Sequence, residues 1–402
     1  METIVAARPA TLWQRLRTRL WRIGWFIPTF FALLALPGLM QLTSRVPTTM
    51  GAENRRPAPP PAWPDTRAAI IGLPAVTDAW LADRFGFRND LVRLNTYLRW
   101  RLFGEVSARL ILVGRHGRLF LSMHNGSPPQ SLITVVCGAH LTEAMITDAA
   151  ASLRRTLDIA RSVGLRPTLL IVPTAARLYP EDLPPQLAAG CAGRVPLGDA
   201  VSVRLSDAPV IYPVAEMLRL KQRTAVIPLH RFHWAGAAPL RVAELIAETY
   251  WGLPRTLPLT TMRKSRESDL NPLSPGLGLT DMIDEPQLAA AGVHECWLNR
   301  CRLDGVPAEA LQAESAYWRP GDGQLLIISD SFGDEIGPDF VEQFGDVWMV
   351  SINFTRSMQV ADRKVLAAGL LKKFRNGRVL FVVHDFGTVA AFDRSVAEVL
   401  TP

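Results

Sequence analysis

From residue 141 onward, short continuous apolar runs alternate with longer amphipathic ones. Leu325-Leu326-Ile327-Ile328 is such a run, and it gives way abruptly to Ser329-Asp330-Ser331-Phe332-Gly333. Four consecutive apolar residues read as a strand buried on both faces, as in a parallel sheet. Thr168 to Val172, Val347 to Ile352 and Val379 to Val383 have the same character, and Pro209 to Tyr212 is a shorter candidate. Between them the apolar spacing turns helical, over Leu141 to Val163, Trp234 to Tyr250 and Ala361 to Phe374. Thr142 is placed to cap the first of these helices and Gly164 to end it. The alternation predicts an α/β fold with a mostly parallel sheet and helices on both faces. Upstream, Asp78 to Leu91 and the series Leu94, Leu98, Leu102 predict two amphipathic helices. Val106 to Ser122 predicts a hairpin turning at His116-Gly117. Met262 to Glu285 is polar and turn-rich, which predicts a long surface loop or an insertion.

The N-terminus differs in kind. Ile23 to Met40 is apolar and uncharged, about long enough to cross a bilayer. Arg8, Arg15, Arg17, Arg19 and Arg22 precede it with no acid between them, so the positive-inside rule puts the N-terminus in the cytoplasm. A cleaved signal peptide and a buried soluble helix are the rival readings. Gln41-Leu42-Thr43-Ser44-Arg45 carries no small-x-small cleavage site, and Pro28 and Pro37 would be costly in a soluble helix. The expected organisation is a basic cytoplasmic segment (1–22), a single transmembrane anchor (23–40), a stalk (41–76) and a folded domain (77–402). The stalk is proline-rich from Pro47 to Pro64, and polyproline extension suits that role. In a Gram-negative cell this is an inner-membrane protein with its body in the periplasm.

The 402 residues allow a sizeable core, and 48% are hydrophobic. Much of the net charge of +7 lies before the apolar run, and no basic-aromatic module follows, which removes the support for nucleic-acid binding. Cys137, Cys191, Cys296 and Cys301 allow three pairings; Cys296 and Cys301 could close a short loop. None has CxxC spacing, so neither a redox nor a zinc site is expected.

Ser331 falls just beyond the carboxyl end of its strand, where open α/β sheets keep their ligand crevices. Asp330 and Ser331 could simply cap the next helix; a nucleophilic role needs a histidine. Several stretches together resemble one family. They are Glu53-Asn54-Arg55 with its prolines, Phe85-Gly86-Phe87-Arg88-Asn89, Gly114-Arg115-His116-Gly117-Arg118-Leu119-Phe120, Val172-Pro173 with Tyr179-Pro180-Glu181-Asp182-Leu183-Pro184, His233-Trp234, and Asp330-Ser331-Phe332. In this order they resemble the SGNH-like periplasmic O-acetyltransferases of alginate biosynthesis, AlgJ and AlgX. The resemblance implies a three-layer SGNH α/β/α domain and acetyl transfer to an exported polysaccharide, the acetyl coming from a membrane-bound O-acyltransferase partner. It implies no cofactor and no metal.

Carried over residue by residue, Ser331 matches the family's nucleophile and His233 its base. The family sets an orienting aspartate two residues before that histidine; here the position is Arg231. Ser329 stands where the family has glycine, and Thr174-Ala175 follows Pro173 without the usual lysine. Two expectations compete. In one, another carboxylate orients His233, with Asp385 beside His384 as the candidate. In the other, the site has degenerated and the fold survives as a polysaccharide-binding or scaffolding subunit. If the vacancy limits catalysis, Arg231→Asp is expected to raise activity. Trp234 and Asp330 are candidate substrate-binding residues, with Trp297 and Trp318 as possible sugar-stacking platforms. No G-x-S-x-G elbow points to a generic lipase or protease.

Overall fold

The computed structural model describes residues 24–36, 39, 57–84, 87–106, 110–122, 124–125, 130–297, 300–311, 314–389 and 392–401. The basic segment, the rest of the expected anchor, Glu53 to Arg56 and Phe85-Gly86 lie outside them. Residues 24–36 are helical; no helix among the described residues is long and apolar enough to cross a membrane. The chain divides into two compact units, residues 1–98 with 275–277 and residues 99–274 with 278–402.

In the first unit, helix α1 spans Arg67–Arg84, and α2, which runs on past the unit's edge, spans Arg88–Phe103. The Thr66 side chain accepts from Ala69 N–H at 3.1 Å, so the helix starts well before residue 77. The expected stalk is therefore helical over its last ten positions, with Pro74 inside. Its described proline-rich part is pinned to the end of α1. Ala58 N–H donates to Asp83 (2.7 Å), and Arg84 donates to the Ala58 carbonyl (3.1 Å).

The second unit carries the sheet. Its strands and main helices are β1 Ile111–Val113, β2 Leu119–Leu121, α3 Glu143–Ser162, β3 Arg166–Val172, β4 Val210–Ile211, α4 Ala237–Leu245, β5 Thr261–Glu267, β6 Thr280–Pro286, β7 His294–Trp297, β8 Glu314–Trp318, β9 Gln324–Ser329, β10 Asp346–Ser351, α5 Val360–Lys373, β11 Arg378–His384 and α6 Phe392–Leu400. Among the described residues seven strands form the main sheet, in the order β4-β3-β11-β9-β10-β8-β7. The first five run parallel; β8 and β7 add an antiparallel edge. Strand β9 is central, and Leu325 to Ile328 have no exposed surface. Successive side chains in a strand point to opposite faces, so both faces of β9 are covered, as its unbroken apolar run requires.

Helix α3 has the expected Thr142 cap, whose hydroxyl accepts from Met145 N–H at 3.2 Å. Gly164 ends it at φ +82°, a left-handed conformation that glycine adopts without a Cβ penalty. Helix α6 buries Phe392, Val396, Val399 and Leu400, the stripe expected of a helix lying on a core. A buried Asp393 ties α6 to α3 through Ser152 (2.6 Å) and Arg155 (2.7 Å). Disulfides join Cys137 to Cys191 and Cys296 to Cys301.

Two further expectations change. The helix from Trp234 starts only at Ala237, and Ile246–Tyr250 closes it as a π-helical turn. The supposed loop from Met262 to Glu285 is an antiparallel hairpin, β5 against β6, paired from Thr261↔Pro286 to Glu267↔Thr280. Strand β5 is polar and largely exposed and β6 is mostly half-buried, and no sustained apolar alternation marks them in the sequence.

Candidate active site

Ser331 opens a 3₁₀ turn, Ser331–Glu335, directly beyond β9. Asp330 caps that turn by accepting the Phe332 N–H at 2.9 Å. The turn sits tightly on the strand: a Cβ at Gly333 would collide with the side chain of Ser329. Ser329, fully buried, thus fills space that only the absence of a side chain at Gly333 leaves open.

His233 comes from the segment before α4. Its Nε2 lies 2.8 Å from Ser331 Oγ and its Nδ1 lies 2.6 Å from Asp269 Oδ2. An ionised carboxylate only accepts, so Nδ1 carries the proton and Nε2 is left to accept from the serine hydroxyl. Asp269 also takes the Phe232 N–H (2.9 Å) and the His233 N–H (3.0 Å). Burial alone would raise the Asp269 carboxyl, but the His233 hydrogen bond and the nearby Arg231 hold it below the ordinary range. The Ser268 hydroxyl donates to the His230 carbonyl, which clips the loop end of the hairpin to the histidine segment. Trp234 Nε1 donates to the Phe332 carbonyl at 2.9 Å, which ties the same segment to the serine's turn.

Arg231 does not take the carboxylate's place. It reaches Glu335 (3.0 Å) and the Glu267 carbonyl (3.0 Å), and its Nε lies 3.9 Å from Asp269. It is a counter-ion to two acids beside the histidine. The third corner of the triad is filled by Asp269, a residue that sequence reasoning missed. Nothing in the spacing could reveal it: it lies 36 positions after His233, in what reads as a loop.

The structure does not bring Asp385 to His233. Its carboxylate accepts the Thr174 N–H (3.1 Å) and the Phe386 N–H (2.9 Å), joining the ends of β3 and β11. Complete burial pushes that carboxyl up to about 6. Asp330 is only 5% exposed, and its oxygens serve Phe332 and His384, so it is a bracing group and not a substrate ligand. Trp234 has no exposed surface and offers no stacking face. Trp297 and Trp318 are 44% and 42% exposed, but they stand on β7 and β8 at the antiparallel edge, away from Ser331.

A cavity of about 470 Å³ holds Ser331, His233 and Asp269, with Leu121, Leu270 and Ile352 among its apolar walls. Among the described residues no three His, Cys, Asp or Glu side chains are grouped to hold a metal ion. The arrangement defines a class, that of Ser–His–Asp sites at the carboxyl end of a mainly parallel sheet. No family model matches the sequence, and no curated protein matches it. Solved structures do. The chain is similar over 71% of its length to a DHHW family protein from Eubacterium siraeum, 94% of which it covers, at 15% identity and TM-score 0.49. It is similar over 72% to the O-acetyltransferase domain of Pseudomonas putida AlgJ, covering 99% of that chain at 15% identity and TM-score 0.40. It is also similar over 72% to Pseudomonas aeruginosa AlgX, covering 66% of that chain at 14% identity and TM-score 0.43.

Proposed function

We propose that this protein is a serine acyltransferase, or the related esterase, that moves an acetyl group onto or off an exported polysaccharide. The observation that carries the reading is the continuous relay Ser331–His233–Asp269, with bonds of 2.8 and 2.6 Å. Ser331 Oγ attacks the acyl carbon while its proton passes to His233 Nε2. Asp269 holds the ring in the required tautomer and stabilises the imidazolium that forms. The Ser331 N–H heads a helical turn and so has no partner within it, which leaves it free to meet the developing oxyanion. His233 then returns the proton to the departing oxygen. A sugar hydroxyl, or water, repeats the sequence in reverse to take the acyl group.

The choice of acetyl and of a polysaccharide rests on the ordered sequence motifs. The same motifs, with the apolar run at 23–40 and its arginine flank, support an inner-membrane anchor, a periplasmic body and a membrane-bound O-acyltransferase as acetyl source. The alternative, a degenerate binding subunit, draws on Arg231, on Ser329 in place of glycine and on the lysine missing after Pro173. Asp269 against the histidine at 2.6 Å supports the catalytic reading over it.

The test uses the purified full chain with 4-nitrophenyl acetate. A burst of nitrophenol, with one acetyl group trapped on the peptide bearing Ser331, is expected, and both should be absent in Ser331→Ala. Equal hydrolysis by wild type and Ser331→Ala would refute the reading.

A further inference from the structure

Ser331 lies beside a second Asp–His pair that the relay does not use. Asp330 Oδ2 sits 2.5 Å from His384 Nδ1 and accepts the His384 N–H at 2.8 Å, while its other oxygen accepts from Phe332. Strand β11 pairs in parallel with β9, with Ser329 opposite Val382, and the Asp330 N–H continues the ladder to the Val382 carbonyl (3.1 Å). Ser331, in the turn that follows β9, and His384, the last residue of β11, thus both stand at the carboxyl end of this strand pair. Both residues line the same cavity.

The imidazole is firmly held. It stacks on Phe332 at 5.0 Å and 15°, and Phe232 meets it edge-on at 5.7 Å. The backbone passes so close behind it that a Cβ at Gly387 would come within 3.0 Å of Nδ1 and 2.8 Å of the Val383 side chain. The carboxylate fixes the proton on Nδ1, and no described group bonds Nε2. His384 cannot act as base for Ser331, because His233 already holds the hydroxyl.

We propose that His384 is an oxyanion-stabilising residue: its Nε2–H donates to the acyl carbonyl oxygen as that oxygen takes up negative charge. This rests on the Ser331–His233 reading of the site. When Ser331 Oγ bonds to the acyl carbon, the carbonyl π pair moves onto oxygen. When the intermediate collapses, the pair returns and the C–O bond to the leaving group breaks, the leaving oxygen taking its proton from His233. His384 keeps its proton throughout.

The donor exists only while His384 is charged, since the neutral ring has its one proton on Nδ1. The charged or titratable groups around it are Asp330 from the end of β9, Asp385 next to it in the chain, and Arg356 and His233, which line the same cavity. Burial would lower the imidazole, but Asp330, with a smaller contribution from Asp385, holds it above its ordinary value. Activity should therefore fall as pH rises through the folded pKa of His384, which lies above the ordinary imidazole value.

The experiment measures kcat, KM and the pH profile of 4-nitrophenyl acetate hydrolysis by the full chain. His384→Phe keeps the aromatic stack and removes the donor; loss of one such donor costs about 10²–10³ in kcat, with KM little changed and no alkaline limb left. His384→Gln, which keeps an uncharged N–H, should recover part of kcat and also lack that limb. A second readout is methylboronate, which forms a tetrahedral anion on a serine: it should bind His384→Phe at least ten-fold more weakly than wild type. Wild-type kcat, pH profile and boronate affinity in folded His384→Phe would overturn the inference alone. If Ser331→Ala hydrolyses and binds boronate like wild type, the proposed function falls, and this inference with it.

Discussion

Asp269→Asn is the substitution that most directly tests the relay. The Asp269 carboxylate accepts three N–H groups, from Phe232, His233 and the His233 ring. An asparagine keeps the shape but must put an NH₂ on one side. On the Oδ2 side it faces the His233 N–H and makes Nδ1 an acceptor, which moves the ring proton to Nε2, where it blocks proton transfer from Ser331. On the Oδ1 side it faces the Phe232 N–H, and the imidazolium still loses its counter-charge. The analogous change in a serine protease lowers kcat about 10⁴-fold, equivalent to roughly 5.4 kcal/mol of barrier at 1.36 kcal/mol per decade. The donor–donor clash should cost about 1–3 kcal/mol of stability, so a folded sample can be assayed well below its melting temperature. The assay is kcat/KM for 4-nitrophenyl acetate, with Asp269→Asn also combined with Ser331→Ala. The double variant should be no slower than Ser331→Ala alone, because the three residues act as one unit. A folded Asp269→Asn that keeps more than a tenth of wild-type kcat/KM would refute the assignment of this carboxylate to the triad.

Arg231→Asp should lower kcat at least ten-fold instead of raising it, because it adds an acid beside Asp269 and beside Glu335, whose carboxyl burial already pushes up; a gain in hydrolysis would contradict the counter-ion role. Asp339 is fully buried with one oxygen unpartnered, and burial, with Glu342 nearby, raises its carboxyl well above the ordinary range. The folded chain keeps that proton while the unfolded chain releases it above about pH 3.9, so stability drains as pH rises from there to the folded pKa. Asp339→Asn should therefore raise Tm at pH 8 and leave it nearly unchanged at pH 4, and an equal effect at both would count against this. Cys137→Ser with Cys191→Ser opens a loop with a sequence separation of 54, which chain entropy values at about 4 kcal/mol; urea unfolding should show that loss, and an unshifted midpoint would contradict it.

The sheet's parallel core was legible because burial on both faces leaves a plain signature. The apolar runs at 168–172, 325–328, 347–352 and 379–383 became β3, β9, β10 and β11 within a residue or two at most ends. Helix α3 was legible for the same reason as its cap, Thr142, and its terminating glycine. The edge strands β7 and β8 and the hairpin β5–β6 were not. A strand such as Thr-Met-Arg-Lys-Ser-Arg-Glu is held by backbone pairing, and backbone pairing leaves no trace in side-chain polarity. Within the site, Ser331 and His233 were legible because each adjoins a landmark, a buried strand or a tryptophan. Asp269 adjoins none. Asp385 sits next to a histidine at a strand end, but the two side chains serve different partners. It is Asp330 that meets His384, across two strands.

The place occupied by Asp269 bears on how such proteins are sorted into working enzymes and retired copies. That sorting usually asks whether the acid stands at its customary place in the chain, and by that test position 231 condemns this protein. The corner in space is nevertheless occupied, from a hairpin 36 residues downstream. Position 231 carries the opposite charge, with Arg231 Nε 3.9 Å from Asp269. A missing letter in a motif therefore does not by itself mean that the corner in space is empty.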